Sequence, residues 1–226
     1  IHELAQNIRR IGLGVMGWAD MMVRLGIGYD SEAGVALGQR VMGFINEEAR
    51  RASEKLAEKR GVFPAWAESV WGPDESAAVG SDGTRVREER ALRNCNLTTV
   101  APTGTISIFA GCSGGIEPLF AVAFMRNQAG VLMPDVNPDF IRVAKDGGWY
   151  TEDLMEQIAE EGHIHFEEVP EEVQQVFRTA HDITPEWHVR MQAAFQDHTD
   201  SAISKTTNFP SKATAEAVSY THLTLP

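Results

Sequence analysis

Between Asn94 and Phe120 the chain reads NCNLTTVAPTGTISIFAGCSGGIEPLF, and the middle of this stretch is made of residue types suited to seating an anion. Leu97 to Val100 is short and rich in Thr and Val, which predicts a strand. Pro102 halts it, and Thr103-Gly104-Thr105 opens an apolar run that predicts a helix. The first amides of a helix lack intrahelical partners, so they can donate to phosphate oxygens. Gly104 allows close backbone approach, and the hydroxyls of Thr103, Thr105 and Ser107 add donors. No lysine follows the turn, so it is not a Walker loop. Two readings fit this spacing: a phosphate seat at Pro102, Thr103, Gly104, Thr105, Ile106 and Ser107, or a threonine-capped helix after a buried strand.

Other residues compete for a chemical role. Gly12-x-Gly14-x-x-Gly17 has the spacing of a dinucleotide-binding loop, which makes an NAD-dependent dehydrogenase the enzymatic alternative. That fingerprint needs an apolar strand before the first glycine, yet Gln6, Asn7, Arg9 and Arg10 stand there, and Asp30 leads straight into a helix. A close-packed, buried turn is the better account. His163-x-His165 lacks further cysteine or histidine at ligand spacing, and His181 and His198 carry no pattern; His188 reads as a packed or hydrogen-bonded side chain. Cys95 and Cys112 read as structural thiols. Glu117 suits a structural or substrate-positioning role, Arg126 an anion contact or a carboxylate pair, and Lys205 and Asn208 lie on a predicted strand.

The elements that must position these residues follow from periodicity and punctuation. Residues 1 to 10 end a helix. Ser31 caps another, whose apolar stripe is Leu37, Val41, Phe44, Ile45, Ala49, Ala52 and Leu56 and whose charged residues, Glu47 to Glu58, face solvent. Gly61 and Pro64 close it. Residues 72 to 93 predict a loop and a short charged helix. Runs at 121–125 and 131–133 fit an interrupted or turned strand, ended by Pro134 to Pro138. A helix is expected from Phe140, short helices over 151–180, a helix with Trp187, Met191 and Phe195 inward, and a strand over Ala202 to Thr207.

Composition bounds the function without naming it. The chain has 226 residues, a net charge of −12 and two cysteines. The acidic balance disfavours direct nucleic-acid or anionic-membrane binding, and the cysteine count excludes a disulfide scaffold. No apolar run approaches the roughly 20 residues needed to cross a bilayer, and no signal peptide or composition boundary stands out.

Four ordered segments carry a family resemblance: RIGLGVMGWAD from Arg10, APTGTIS from Ala101, GGIEPLF from Gly114 and DSAISKTTNFP from Asp200. With FRTAHDITPEWHVRMQAAFQ from Phe177, they resemble the large catalytic subunit of ribonucleotide reductase, in its adenosylcobalamin-dependent branch. The resemblance covers residues 1–218 and implies an α/β fold, the later portion of a ten-stranded barrel. It also implies radical reduction of ribonucleoside di- or triphosphates to 2′-deoxyribonucleotides for DNA synthesis, in the cytoplasm. A cysteine thiyl would take the ribose 3′-hydrogen, and a dithiol reductant such as thioredoxin would supply electrons. That cysteine and its flanking Asn and Glu belong upstream of Ile1, so this chain alone is expected to be inactive. The resemblance assigns the substrate phosphates to Pro102 through Ser107 and leaves room for a homodimer. A radical-subunit-dependent reductase is the alternative within the family, and a non-catalytic nucleotide-binding module the alternative outside enzymes. Residues 219–226, SYTHLTLP, depart from the pattern and read as a foreign or mistranslated tail.

Overall fold

The computed structural model describes residues 1–74, 80, 84, 87–128, 131–209, 213–215 and 218–219, with Arg126, Gln128 and Val131 described by backbone alone. In chain order its elements are α1 (His2–Ile8), α2 (Trp18–Leu25), α3 (Glu32–Arg60), α4 (Gly104–Ala110), β1 (Ala123–Gln128), β2 (Val131–Val136), α5 (Pro138–Gly147), α6 (Glu152–Glu161), α7 (Glu171–Val176) and α8 (Pro185–Gln196). No described helix is long and apolar enough to cross a membrane. The chain divides into two compact units, one made of residues 1–14, 39–101 and 195–203, the other of 15–38, 102–194 and 204–226. Each unit is assembled from separated stretches, which is why no composition boundary marks it.

In the first unit the expected strand at Leu97 to Val100 is the middle of three parallel segments. Leu13 bridges Thr98 on one side, and Val100 bridges Ile203 on the other. The Leu13 amide donates to Leu97 O at 2.8 Å and the Thr99 amide to Leu13 O at 3.0 Å. Gly12 and Gly14 are needed for this approach: a Cβ at Gly14 would lie 2.1 Å from Thr99 O, and one at Gly12 would lie 2.5 Å from Thr99 Cγ2. The segment forms a single parallel bridge at Leu13 rather than the buried turn expected, and Ile11 to Gly14 is exposed. The Ile11 and Leu13 amides donate to Asn96 O and Leu97 O, and the missing Cβ atoms of Gly12 and Gly14 admit Thr99, so these glycines serve backbone packing.

Helix α3 starts beside Ser31, whose Oγ accepts from Gly34 N, and stops at Gly61, φ +76°. Its buried line is Met42, Asn46, Ser53 and Ala57, one position off the expected stripe; Phe44 and Leu56 are exposed. Small and polar residues occupy that line because the 93–98 segment runs close. Asn46 donates to Thr98 Oγ1, and Ser53 Oγ accepts from the amides of Arg93 and Asn94. Nor does the charged face point wholly to solvent: Arg90 forks onto both Glu47 and Glu54. Residues 87–93 are irregular rather than helical, since Arg90 donates its amide to Trp71 O while its guanidinium reaches α3. Phe63, Trp71 and Leu92 form the apolar cluster beneath.

In the second unit one core gathers Ala19 and Val23 of α2, Phe140 and Ala144 of α5, Leu154, Met155 and Ile158 of α6, Val173 of α7, and Phe177. Phe140 is fully buried and meets Trp149 and Phe177 edge-on at 5.4 and 5.1 Å. Burying such a ring stabilises the unit by about 2–3 kcal/mol. Asn137 caps α5 through the amides of Asp139 and Phe140, and Thr151 caps α6 through Leu154 N. The interrupted strand resolves into an antiparallel hairpin, with Ala123 opposite Val136 and Met125 opposite Pro134. Pro134 does not end the run, because each strand of a two-stranded sheet keeps a free edge where a missing N–H costs nothing. The strand expected over Ala202 to Thr207 is reduced to the Ile203 bridge; from Ser204 to Phe209 the chain is irregular.

Candidate phosphate-binding site

The turn from Pro102 to Ser107 lies in the second unit and enters α4. Thr103 precedes the helix in the left-handed region, φ +52°, a conformation that costs a non-glycine residue on the order of 1 kcal/mol. Its Oγ1 accepts from Gly115 N at 2.7 Å, leaving the hydroxyl proton free to donate. The first helical bond is Ser107 N to Thr103 O, 2.9 Å. Gly104, Thr105 and Ile106 therefore lead the helix with amides that meet no acceptor among the described residues, and all three residues are exposed. A Cβ at Gly104 would meet nothing within 4 Å. Ser107 differs from the expectation of an outward hydroxyl: it is buried, and its Oγ donates to Gly104 O at 3.3 Å.

A charged cluster built on a buried lysine stands behind this turn. Lys205 has no exposed side-chain surface, and its Nζ donates to Glu117 Oε2 at 2.7 Å, to His188 Nδ1 at 2.8 Å and to Thr206 O. Glu117 Oε1 accepts from Thr206 N at 2.7 Å. An ammonium only donates, so His188 Nδ1 carries the lone pair and Nε2–H faces Ala180 O at 3.3 Å. Burial, reinforced by the Lys205 charge, pushes His188 down to about 4. Burial also lowers Lys205, against the opposing pull of Glu117. Tyr29 Oη donates to Ile116 O at 2.8 Å, and burial followed by the Glu117 charge raises its phenol. Sequence reasoning treated Glu117, His188 and Lys205 separately. The signal that could have joined them is that Glu117 and Lys205 each sit inside a segment of the family pattern.

The remaining candidates take ordinary roles. His163 and His165 stack at 5.7 Å; His163 faces Glu161, and His165 faces Gln174 and Asp182. Among the described residues no group of three or more His, Cys, Asp and Glu side chains could hold a metal ion. Cys95 Sγ donates to Asn96 Oδ1, and Cys112 lies against Gly17, φ +77°. Asn208 lines a cavity of about 290 Å³ with His181, Asp182 and Thr184. The side chain of Arg126 lies outside the described residues.

Comparison with known proteins supplies the family. The family model for the ribonucleotide reductase barrel domain matches residues 1–224. A vitamin B12-dependent ribonucleoside-diphosphate reductase of Thermoplasma acidophilum is 47% identical over 219 residues, 96% of this chain and 27% of the relative. One of Mycobacterium tuberculosis is 45% identical over 217 residues, again 96% of this chain and 29% of the relative. The chain thus spans less than a third of the length of these curated relatives. A class Id ribonucleotide reductase alpha subunit of Actinobacillus ureae superposes with a TM-score of 0.67 at 24% identity, covering 88% of this chain and 33% of that one, a likeness of fold. The α/β chain described here belongs to the ribonucleotide reductase barrel-domain family.

Proposed function

We propose that this chain is part of a vitamin B12-dependent ribonucleoside-diphosphate reductase, with residues 1–218 forming the later portion of its barrel. In this reading Thr103, Gly104, Thr105 and Ile106 bind the terminal phosphates of the ribonucleotide, between Pro102 and Ser107. The carrying observation is Gly104. No neighbour requires the missing side chain, so its absence makes room for something arriving from solvent, against amides with no protein acceptor. Holding the substrate by its remote charged end is a means of placing the ribose for reaction. Adenosylcobalamin is the proposed cofactor and source of the radical. The described residues contribute no group of three or more His, Cys, Asp and Glu side chains to a metal, and their part in this reading is to hold the nucleotide. A dithiol reductant such as thioredoxin, a homodimeric assembly and a cytoplasmic setting complete the proposal.

The test uses the full-length reductase carrying Gly104→Val, with binding of a ribonucleoside diphosphate measured by calorimetry. A side chain in open space leaves the melting temperature within a degree or two of wild type, about 0.5 kcal/mol or less. Nucleotide affinity is expected to fall at least about tenfold, the equivalent of one good charged hydrogen bond. Unchanged affinity rejects the assignment.

A further inference from the structure

Lys205 invites the assumption that a cation near a proposed phosphate site binds the phosphate. The geometry excludes this. Its three N–H donors are matched by three acceptors, Glu117 Oε2, His188 Nδ1 and Thr206 O, and its side chain has no exposed surface. Each oxygen of the partly exposed Glu117 accepts one bond, Oε2 from Lys205 and Oε1 from the Thr206 amide. Lys205 is thus fully satisfied by its three partners, and such a network of charge-assisted bonds around a buried ammonium fixes backbone.

The backbone it fixes is the turn from Gly114 to Glu117. Glu117 N donates to Gly114 O at 2.9 Å, Ile116 is fully buried, and its carbonyl accepts from Tyr29 Oη. Within that turn Gly115, at φ +47°, aims its amide at Thr103 Oγ1, 2.7 Å away. Gly114 sits directly under the site: a Cβ there would lie 3.2 Å from Pro102 O. Thr103 holds an unfavourable backbone conformation, and the bond from Gly115 is the side-chain contact that opposes its relaxation.

We propose that Lys205 and Glu117 are positioning residues, which hold the Gly114–Glu117 turn so that Gly115 keeps Thr103 left-handed and the amides of Gly104 to Ile106 converge on the substrate's terminal phosphate. The proposal rests on the phosphate reading of that turn. It assigns the pair no contact with the substrate. Their influence is confined to the part of the binding that the phosphates contribute.

That confinement makes the test. In the full-length reductase, affinities are measured for a ribonucleoside diphosphate and for the same ribonucleoside without phosphates; their ratio isolates the phosphate contribution. Lys205→Met is expected to shrink the ratio about tenfold while nucleoside affinity stays within about twofold. Gly104→Val is measured in parallel. If Gly104→Val shrinks the ratio and Lys205→Met does not, the positioning proposal is overturned and the phosphate reading stands. If neither does, the phosphate reading falls and the proposal with it. An equal loss for nucleoside and nucleotide in Lys205→Met marks a general structural role and also overturns the proposal. Should Lys205→Met fail to fold, Glu117→Gln, of the same size and uncharged, carries the test: a smaller loss of the same sign supports the proposal, and an unchanged ratio refutes it.

Discussion

Replacing Gly14 by alanine asks the first unit to accommodate a methyl group where the structure leaves no room. The added Cβ would stand 2.1 Å from Thr99 O and 3.2 Å from Thr99 C, so backbone, not a rotatable side chain, must yield. Reaching ordinary contact requires the segments to part by more than about 1 Å. The bonds Leu13 N to Leu97 O, 2.8 Å, and Thr99 N to Leu13 O, 3.0 Å, would then stretch beyond hydrogen-bonding range. Two such bonds at about 1 kcal/mol each, with residual strain of similar size, give a loss on the order of 3 kcal/mol. Amide hydrogen exchange on the full-length protein reads this locally. Peptides covering residues 11–14 and 97–100 are expected to exchange about a hundredfold faster in Gly14→Ala, while α5 and α6 keep their protection. Gly12→Ala is milder, because the nearest atom is Thr99 Cγ2, a side-chain methyl. Unchanged protection of both peptides in Gly14→Ala would refute the claim that these glycines exist for strand approach.

Two further predictions concern acid. The Asp200 side chain is 1% exposed, and although burial alone would push its carboxyl up, the Leu97 amide and the Arg50 guanidinium outweigh that and hold it below the usual range. Its stabilisation is therefore present above the ordinary carboxylate range and lost as pH falls through the lowered native value. Asp200→Asn, which turns a donor toward Leu97 N–H or Arg50, should cost about 2–4 kcal/mol in denaturant melts at neutral pH. His188 acts in a separate window: with a native value of about 4 against an ordinary 6.5, the unfolded chain gains a proton that the native protein refuses. Stability then falls as pH drops from about 6.5 to 4, by on the order of 3 kcal/mol, and His188→Asn should flatten that part of the profile. A profile identical to wild type would mean that His188 is protonated in the native state.

Local punctuation made much of the fold legible. Ser31 and Gly61 bound α3, and the Thr/Val run at 97–100 pairs through single bridges at Thr98 and Val100, because each signal acts within a few residues. The stripe of α3 was misread because the face that is buried carries Asn46 and Ser53, whose partners lie some 40 to 50 positions away. Hydrophobicity alone cannot mark a face chosen by hydrogen bonding. The strand expected at 202–207 failed for a related reason: Lys205 and the Thr206 amide are taken by Glu117, 88 and 89 positions earlier. At the candidate site the turn and its helix were legible from Pro102 and Gly104. The left-handed Thr103, its Gly115 brace and the inward Ser107 were not, since they depend on the Gly114–Glu117 turn packing against it.

The central claim is that the leading amides of α4 receive the substrate's phosphates, and a structure of the full-length reductase with a bound ribonucleoside diphosphate tests it most directly. The account predicts terminal phosphate oxygens at about 2.7–3.2 Å from the amides of Gly104, Thr105 or Ile106, with the Thr103 hydroxyl donating to the same group. Phosphates seated elsewhere, with those amides facing water, would contradict it.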